Sequence, residues 1–210
     1  MTSWMRRRRF GDVVVASAGL VVLVACGFVV RDGTVGLLEL RVFHAINGLP
    51  DALTPVMNAV QLLGVLVVGP VVAVAALILR RWRLAVAALL VTAGKLLAER
   101  TVWELVQRSR PGTTISDAVV RAGAPASGVS FVSGHVLLVT GLAWVITPYL
   151  RGRWRIVPWL VVALVSFARV YLGAHAPLDV VGGLALGLLV GCLTNLAVGV
   201  PGADGRVRDP

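Results

Sequence analysis

The sequence predicts an all-α integral membrane protein, a six-transmembrane-helix bundle with a short interfacial helix between the first two spans. Three observations carry this. Hydrophobic residues make up 58% of the 210-residue chain and charged residues only 14%, and the mean hydropathy is +0.88, beyond the usual range of a soluble domain. The apolar residues gather in runs about 20 long, the length a helix needs to cross a bilayer core. Arginine clusters between these runs, where it sets orientation. The net charge of +10 therefore reads as membrane sidedness. Nucleic acid is excluded as a partner, because there is no aromatic-basic interleaving and no recognition motif.

The predicted spans are 12–30, 61–79, 84–107, 131–149, 156–174 and 178–198. The first follows MRRRRF and reads as a retained helix, since the small-residue site Ala16-Ser17-Ala18 falls only a few residues into the run. Between the first two spans lies LLELRVFHAINGLPDALTPVMNAV. Leu37, Leu40, Val42, Phe43 and Ile46 there have the spacing of an interfacial helix, which Asn47-Gly48-Leu49-Pro50-Asp51 ends in a turn. His44 in this helix reads as structural. The third span carries Lys95, Glu99, Arg100 and Glu104, and the fifth carries Arg169. An ionisable group at mid-bilayer costs about 2.5–3.5 kcal/mol on insertion scales, so these groups face a bundle interior or polar cavity. Lys95–Glu99 and Arg100–Glu104 have i,i+4 spacing and partly neutralise one another. Cys26 and Cys192 lie inside apolar runs and read as packing residues. The whole chain, 1–210, reads as one membrane domain, with a short cytoplasmic tail over 199–210.

Arginines at 6–9, 80–83 and 151–155, with Arg206 and Arg208, fall on one side. The positive-inside rule then places both termini in the cytoplasm and residues 31–60, 108–130 and 175–177 outside the cell membrane. On that outer face the third span ends in QRSRPG, with Arg108 and Arg110. Ser133, Gly134 and His135 open the fourth span, Arg169 ends the fifth, His175 sits in the next turn, and Asp179 opens the sixth. Arginine forks match phosphate oxygens, and a helix N-terminus with a serine hydroxyl favours an anion. One histidine can attack phosphorus while the other protonates the leaving oxygen. An acid four residues from His175 can orient its ring. Neither histidine has a second ligand at zinc or iron spacing, so no metal or cofactor is expected.

The ordered set resembles the type 2 phosphatidic acid phosphatase family, membrane lipid-phosphate phosphatases related to vanadium haloperoxidases. The family motifs K-x6-R-P, P-S-G-H and S-R-x5-H-x3-D correspond to WELVQRSRP (103–111), VSGH (132–135) and ARVYLGAHAPLD (168–179), within a core over 95–190. The resemblance implies metal-independent hydrolysis of a lipid phosphate or diphosphate, polyprenyl or glycerolipid, through a phosphohistidine. His175 is then the nucleophile, Asp179 its partner and His135 the general acid. Arg110, Arg169, Ser133 and the Gly134 backbone hold the phosphoryl oxygens. The alternatives are a lipid head-group phosphotransferase on the same scaffold and a catalytically weakened lipid-phosphate binding or transport protein. Trp103, Val132 and Ala168 depart from the motifs. Arg100 precedes Trp103 by three residues, about 60° away in direction and about 4.5 Å along the helix. A side chain that snorkels from there is expected to supply the phosphate-binding charge that Trp103 lacks.

Overall fold

The computed structural model describes residues 9–201. The arginines at 6–8 and Arg206 and Arg208, which bear part of the expected sidedness, lie outside the described residues, as does most of the expected tail. Among the described residues there is no strand, only an isolated bridge between Ser109 and Val129. The helices are α1 (Phe10–Val30), α2 (Leu37–Asn47), α3 (Thr54–Gln61), α4 (Val68–Ile78), α5 (Trp82–Leu105), the single turn α6 (Pro111–Thr114), α7 (Gly134–Ile146), α8 (Val157–Tyr171) and α9 (Pro177–Val198). By length and composition three segments are long and apolar enough to cross a membrane: Phe10–Val30, Gly152–Tyr171 and Pro177–Val198. A fourth is reached if the bent pair Asp51–Gly64 and Val68–Ile78 is one span. Helix α5 is 24 residues long but carries charge, and α7 with its 3-10 extension, Gly134–Tyr149, is short.

The expected straight span over 61–79 is broken: α3 and α4 meet at 63°. Two residues explain the break. Pro70 has no N–H to bond the carbonyl of Leu66, and its ring would clash there, so a helix can begin just before it but not run through it. Gly64 lies against the next layer, where a Cβ would stand 2.8 Å from the Cβ of His135. The helix predicted over the α2 region does form, and its Phe43 is fully buried against Val136, Val139 and Val165.

Helix α7 is the buried centre, with most of its residues inaccessible, and α9 packs most extensively against α1 and α7. Outward faces of α1, α4 and α5 are apolar: Val21, Phe28, Val71, Ile78, Leu97 and Leu105 are all exposed. Side chains of that kind belong in lipid rather than water, as in a membrane protein. Small residues permit the central contact. A Cβ on Gly187 would lie 2.6 Å from the Leu137 carbonyl oxygen, and one on Gly183 would lie 2.7 Å from that of Ser133. Backbones approaching this closely gain dispersion contacts that lipid cannot supply.

The two ends of the bundle differ. One collects α2, α3, the loop from Val106 to Ser133 and the α8–α9 turn. Arg121, 7% exposed, organises it by donating to the carbonyls of Asn47, Leu49 and Tyr171 and pairing with Asp51 at 2.9 Å. His44 pairs with Asp117 there at 3.5 Å. The other end holds Arg80, Arg81 and Arg83 beside Tyr149. Near it the buried Asp12 of α1 accepts the Trp144 indole N–H at 2.8 Å.

Gly187→Val is expected to overpack the α7–α9 contact and lower stability by about 1–3 kcal/mol. Leu193→Val, on an exposed face of the same helix, should stay within about 0.5 kcal/mol. Thermal midpoints in detergent check both, and equal midpoints would mean that the glycine contact does not hold the bundle together.

Candidate active site

The end that holds Arg121 also contains a cavity of about 410 Å³, lined in part by Lys95, Glu99, Arg110, His135, Arg169 and His175. Lys95 and Glu99 come one turn apart from α5, and the others arrive from separate pieces of chain, positioned by backbone hydrogen bonds. Arg169 sits in the last turn of α8, and its carbonyl accepts the amides of Ala174 (3.1 Å) and His175 (3.2 Å). The turn is thereby folded back on the helix that precedes it, which puts Arg169 and His175 side by side. Gly173 permits this turn at φ +75°, a conformation that favours glycine.

His175 is 2% exposed. Its Nε2 lies 3.4 Å from Arg110 Nη1. A guanidinium has donors only, so Nε2 is the acceptor and the imidazole proton resides on Nδ1. That nitrogen faces Asp179 Oδ2 at 3.7 Å, beyond hydrogen-bond length. Burial pulls the His175 pKa down to about 4; Asp179 opposes the shift, while Arg169 and Arg110 add to it. The ring is neutral at pH 7, and its Nε2 lone pair, which here accepts from Arg110, is the one a nucleophile would use.

Asp179 is the third residue of α9, and Pro177 suits the first position because a missing N–H costs nothing there. Its Oδ2 accepts the N–H of Ala176 at 2.9 Å, and its backbone carbonyl accepts the N–H of Ser133 at 3.0 Å. The start of α9 is thus tied to the start of α7. Gly134 opens α7 where a Cβ would collide with Glu99 Oε1, and His135 follows into the cavity. Arg110 is anchored by a 2.8 Å bond from Nη1 to the Ala174 carbonyl, and Arg169 Nη1 donates to Gln61 Oε1 of α3. Arg110 Nε, Arg169 Nε, Ser133 Oγ, Trp103 Nε1 and His175 Nδ1 are buried without a protein hydrogen-bond partner. Unpaired buried donors cost about 1–3 kcal/mol each. Four of these five belong to cavity-lining residues and Ser133 adjoins Gly134 in the wall; His175 Nδ1 faces Asp179, which leaves the donors of Arg110, Arg169, Trp103 and Ser133 unmatched.

The structure therefore brings His135, His175, Arg110, Arg169 and Gly134 to one cavity, with Asp179 behind His175 and Ser133 at the head of α7. Arg100 is the correction. Its side chain is 84% exposed and pairs with Glu104 at 3.5 Å, and it is not part of the cavity wall. The cation that α5 contributes to the wall is Lys95, 2.6 Å from Glu99 and 15% exposed. Lys95, Glu99 and Trp103 recur every four residues and share one face of α5, whereas Arg100 is rotated by about 100° from Glu99. By i,i+4 spacing alone Lys95 and Glu99 read as an insertion pair, and the sequence signal that sends Lys95 to the cavity is that Trp103 shares their face. The motifs contain neither Gln61 nor Glu39. Glu39 is a buried acid on the amphipathic α2, and it grips the buried Arg108 with 3.0 and 2.7 Å bonds.

Among known proteins, a family described as the PAP2 superfamily matches residues 82–200. A lipid A 4'-phosphatase of Porphyromonas gingivalis is 41% identical over 64 residues, 29% of this chain. The match spans only 26% of that relative's length. The crystal structure of Aquifex aeolicus LpxE superposes with a TM-score of 0.70 at 21% identity, covering 76% of this chain and 95% of the other. That of a PAP2 type phosphatidylglycerolphosphate phosphatase from Bacillus subtilis gives 0.66 at 20% identity, covering 86% and 94%. These two likenesses establish a shared fold. The family match runs through the segments that carry Arg110, His135, Arg169, His175 and Asp179 and over more than half of the sequence, and the chain belongs to the PAP2 superfamily.

Proposed function

We propose that this protein hydrolyses a lipid phosphate or diphosphate at the outer leaflet through a phosphohistidine on His175. The observation that carries the reading is the convergence on one cavity of a neutral histidine, a second histidine and unpartnered arginine donors. His175 Nε2 attacks phosphorus as the bond to the lipid oxygen breaks, and His135 donates a proton to that oxygen. The Nδ1 proton stays in place, facing Asp179, whose carboxylate offsets the positive charge gained by the phosphorylated ring. Water then attacks phosphorus, gives its proton to His135, and releases phosphate as the N–P bond breaks. Arg110, Arg169, Ser133 and the Gly134 amide hold the non-bridging oxygens, which carry the charge in the transition state. Lys95 adds a third cation. Leu62, Val65 and Trp103 give the cavity an apolar wall, suited to a substrate whose tail stays in lipid. The relatives support the lipid-phosphate class, being named for lipid A and phosphatidylglycerolphosphate.

For the membrane arrangement we propose six crossings, by α1, the bent α3–α4 pair, α5, α7, α8 and α9, with α2 at the outer interface. The arginines of 80–83 and 151–155 lie at the end away from the cavity, which favours a cytoplasmic position for that end and an outward-facing site.

His175→Ala should abolish turnover of lipid phosphates and any acid-quenched phosphoenzyme. His135→Ala should slow substrates with poor leaving groups most, by about 10²–10⁴-fold. Phosphate release from a panel of lipid phosphates checks both, and equal loss across leaving groups would remove His135 as the acid.

Lys95→Gln is expected to lower kcat/KM by about 1.5–3 kcal/mol, the scale of a charged hydrogen bond, whereas Arg100→Gln should leave activity per folded molecule unchanged. The reverse pattern would restore Arg100 to the phosphate site.

For sidedness, a cysteine in place of Ser116 should react with an impermeant thiol reagent on intact cells, and one in place of Arg153 should not. Labelling at Arg153→Cys alone would put the site in the cytoplasm.

A further inference from the structure

Behind His175 lies a buried charge cluster of Arg108, Asp179 and Glu39, of which Glu39 lies outside every motif stretch. Arg108 is 1% exposed, Glu39 7% and Asp179 0%. Arg108 Nη1 bridges two carboxylates, Glu39 Oε1 at 3.0 Å and Asp179 Oδ1 at 2.9 Å. Its Nη2 bonds Glu39 Oε2 at 2.7 Å. Glu39 Oε1 also accepts the Leu178 amide of α9 at 2.9 Å. Glu39 is thus fastened on two sides, and the fork it forms with Arg108 sets the plane of the guanidinium. Arg108 can then offer Asp179 one N–H, at Oδ1 only. Asp179 Oδ2 is left for Ala176 N–H and for the Nδ1 side of His175.

The charge count points the same way. Glu39 and Asp179 contribute −2 and Arg108 +1, so the cluster carries −1 beside a histidine that must become cationic when phosphorylated. With Arg108 and Asp179 alone the sum would be zero. A free guanidinium would also turn to grip both Asp179 oxygens, the favoured bidentate geometry, and draw Oδ2 away from His175.

We infer that Glu39 is a positioning residue that acts through Arg108: it restrains the arginine so that Asp179 keeps one oxygen and one net negative charge for His175. This rests on the phosphohistidine reading above. Glu39 touches no cavity-facing atom of His175 and is not in the cavity wall, so its effect falls on the chemical step and not on substrate binding.

The test uses purified full-length protein and two probes, dioctanoyl phosphatidic acid and farnesyl diphosphate, in detergent micelles. Glu39→Gln should lower kcat by roughly ten- to a hundredfold with KM within about twofold, and should reduce phosphoenzyme trapped in a single turnover. A second variant, Glu39→Gln with Arg108→Gln, removes the guanidinium that would turn onto Asp179 and keeps a side-chain amide as donor for Oδ1. It should recover at least part of the kcat lost in Glu39→Gln, because the cluster again carries −1 and nothing draws Asp179 Oδ2 away from His175. Wild-type kcat in Glu39→Gln, a rise in KM at constant kcat, or a double variant no faster than Glu39→Gln would each overturn the inference. Loss of folded protein in both variants would make the pair a structural fastening only, and would overturn it too. Absence of turnover and of phosphoenzyme in the wild type would instead sink the hydrolase reading on which it rests.

Discussion

Asp179 is the point to which the rest of the site is tied. One carboxylate oxygen receives Arg108, and the other receives the Ala176 amide and faces His175; the backbone carbonyl receives Ser133. Moving this residue would displace the start of α9, the head of α7, the α5–α6 loop and the His175 ring together. A carboxylate with 0% exposure would cost several kcal/mol if unpaired, so the chain must bring a cation and amide donors to it. That requirement links helices distant in sequence far more strictly than apolar packing does, since apolar contacts in a membrane tolerate sliding.

The segments at the cavity end of the bundle follow from the same constraint. Helix α2 could lie anywhere on an apolar surface by its hydrophobic face alone, but Glu39 allows one placement, over Arg108 and the Leu178 amide. The loop from Val106 to Ser133 has little regular structure and is held by polar groups. Ser130 N donates to the Arg108 carbonyl at 2.8 Å, and Arg121 N to that of Leu172 at 3.1 Å. Arg121 stacks over the Tyr171 ring at 4.0 Å, which adds a cation–π contact in a desolvated setting. The rigidity of this cap keeps Arg110 and His175 at a fixed separation, and preorganised donors stabilise a transition state without reorganising.

In the six crossings proposed above, α5 is the helix that carries charge into the bilayer. Lys95 and Glu99 point inward and neutralise each other at 2.6 Å, while Arg100 and Glu104 pair on the exposed side. The inner pair costs little while intact, and its lysine is placed where an anion would compete with Glu99 for it. The outer pair does no more than make the helix insertable.

Local chemistry in the sequence determined a good deal. Apolar runs of bilayer length, arginine between them, and the order R-P, S-G-H, R-x5-H-x3-D were enough to name the membrane class and the family, and to pick out His135, His175, Asp179, Arg110 and Arg169, five of the residues that meet at the site. Each of these signals is contained in a few consecutive residues. The tertiary structure decided what depends on direction and distance. Arg100 and Lys95 are equally plausible cations in one dimension, and only the rotation of α5 about its axis sends one to the surface and the other to the cavity. The bend at Gly64 and Pro70 arose where an apolar run had suggested a straight span. Glu39 carried no motif, because its partner Arg108 lies 69 residues away and a pairing across that distance leaves no local pattern to read.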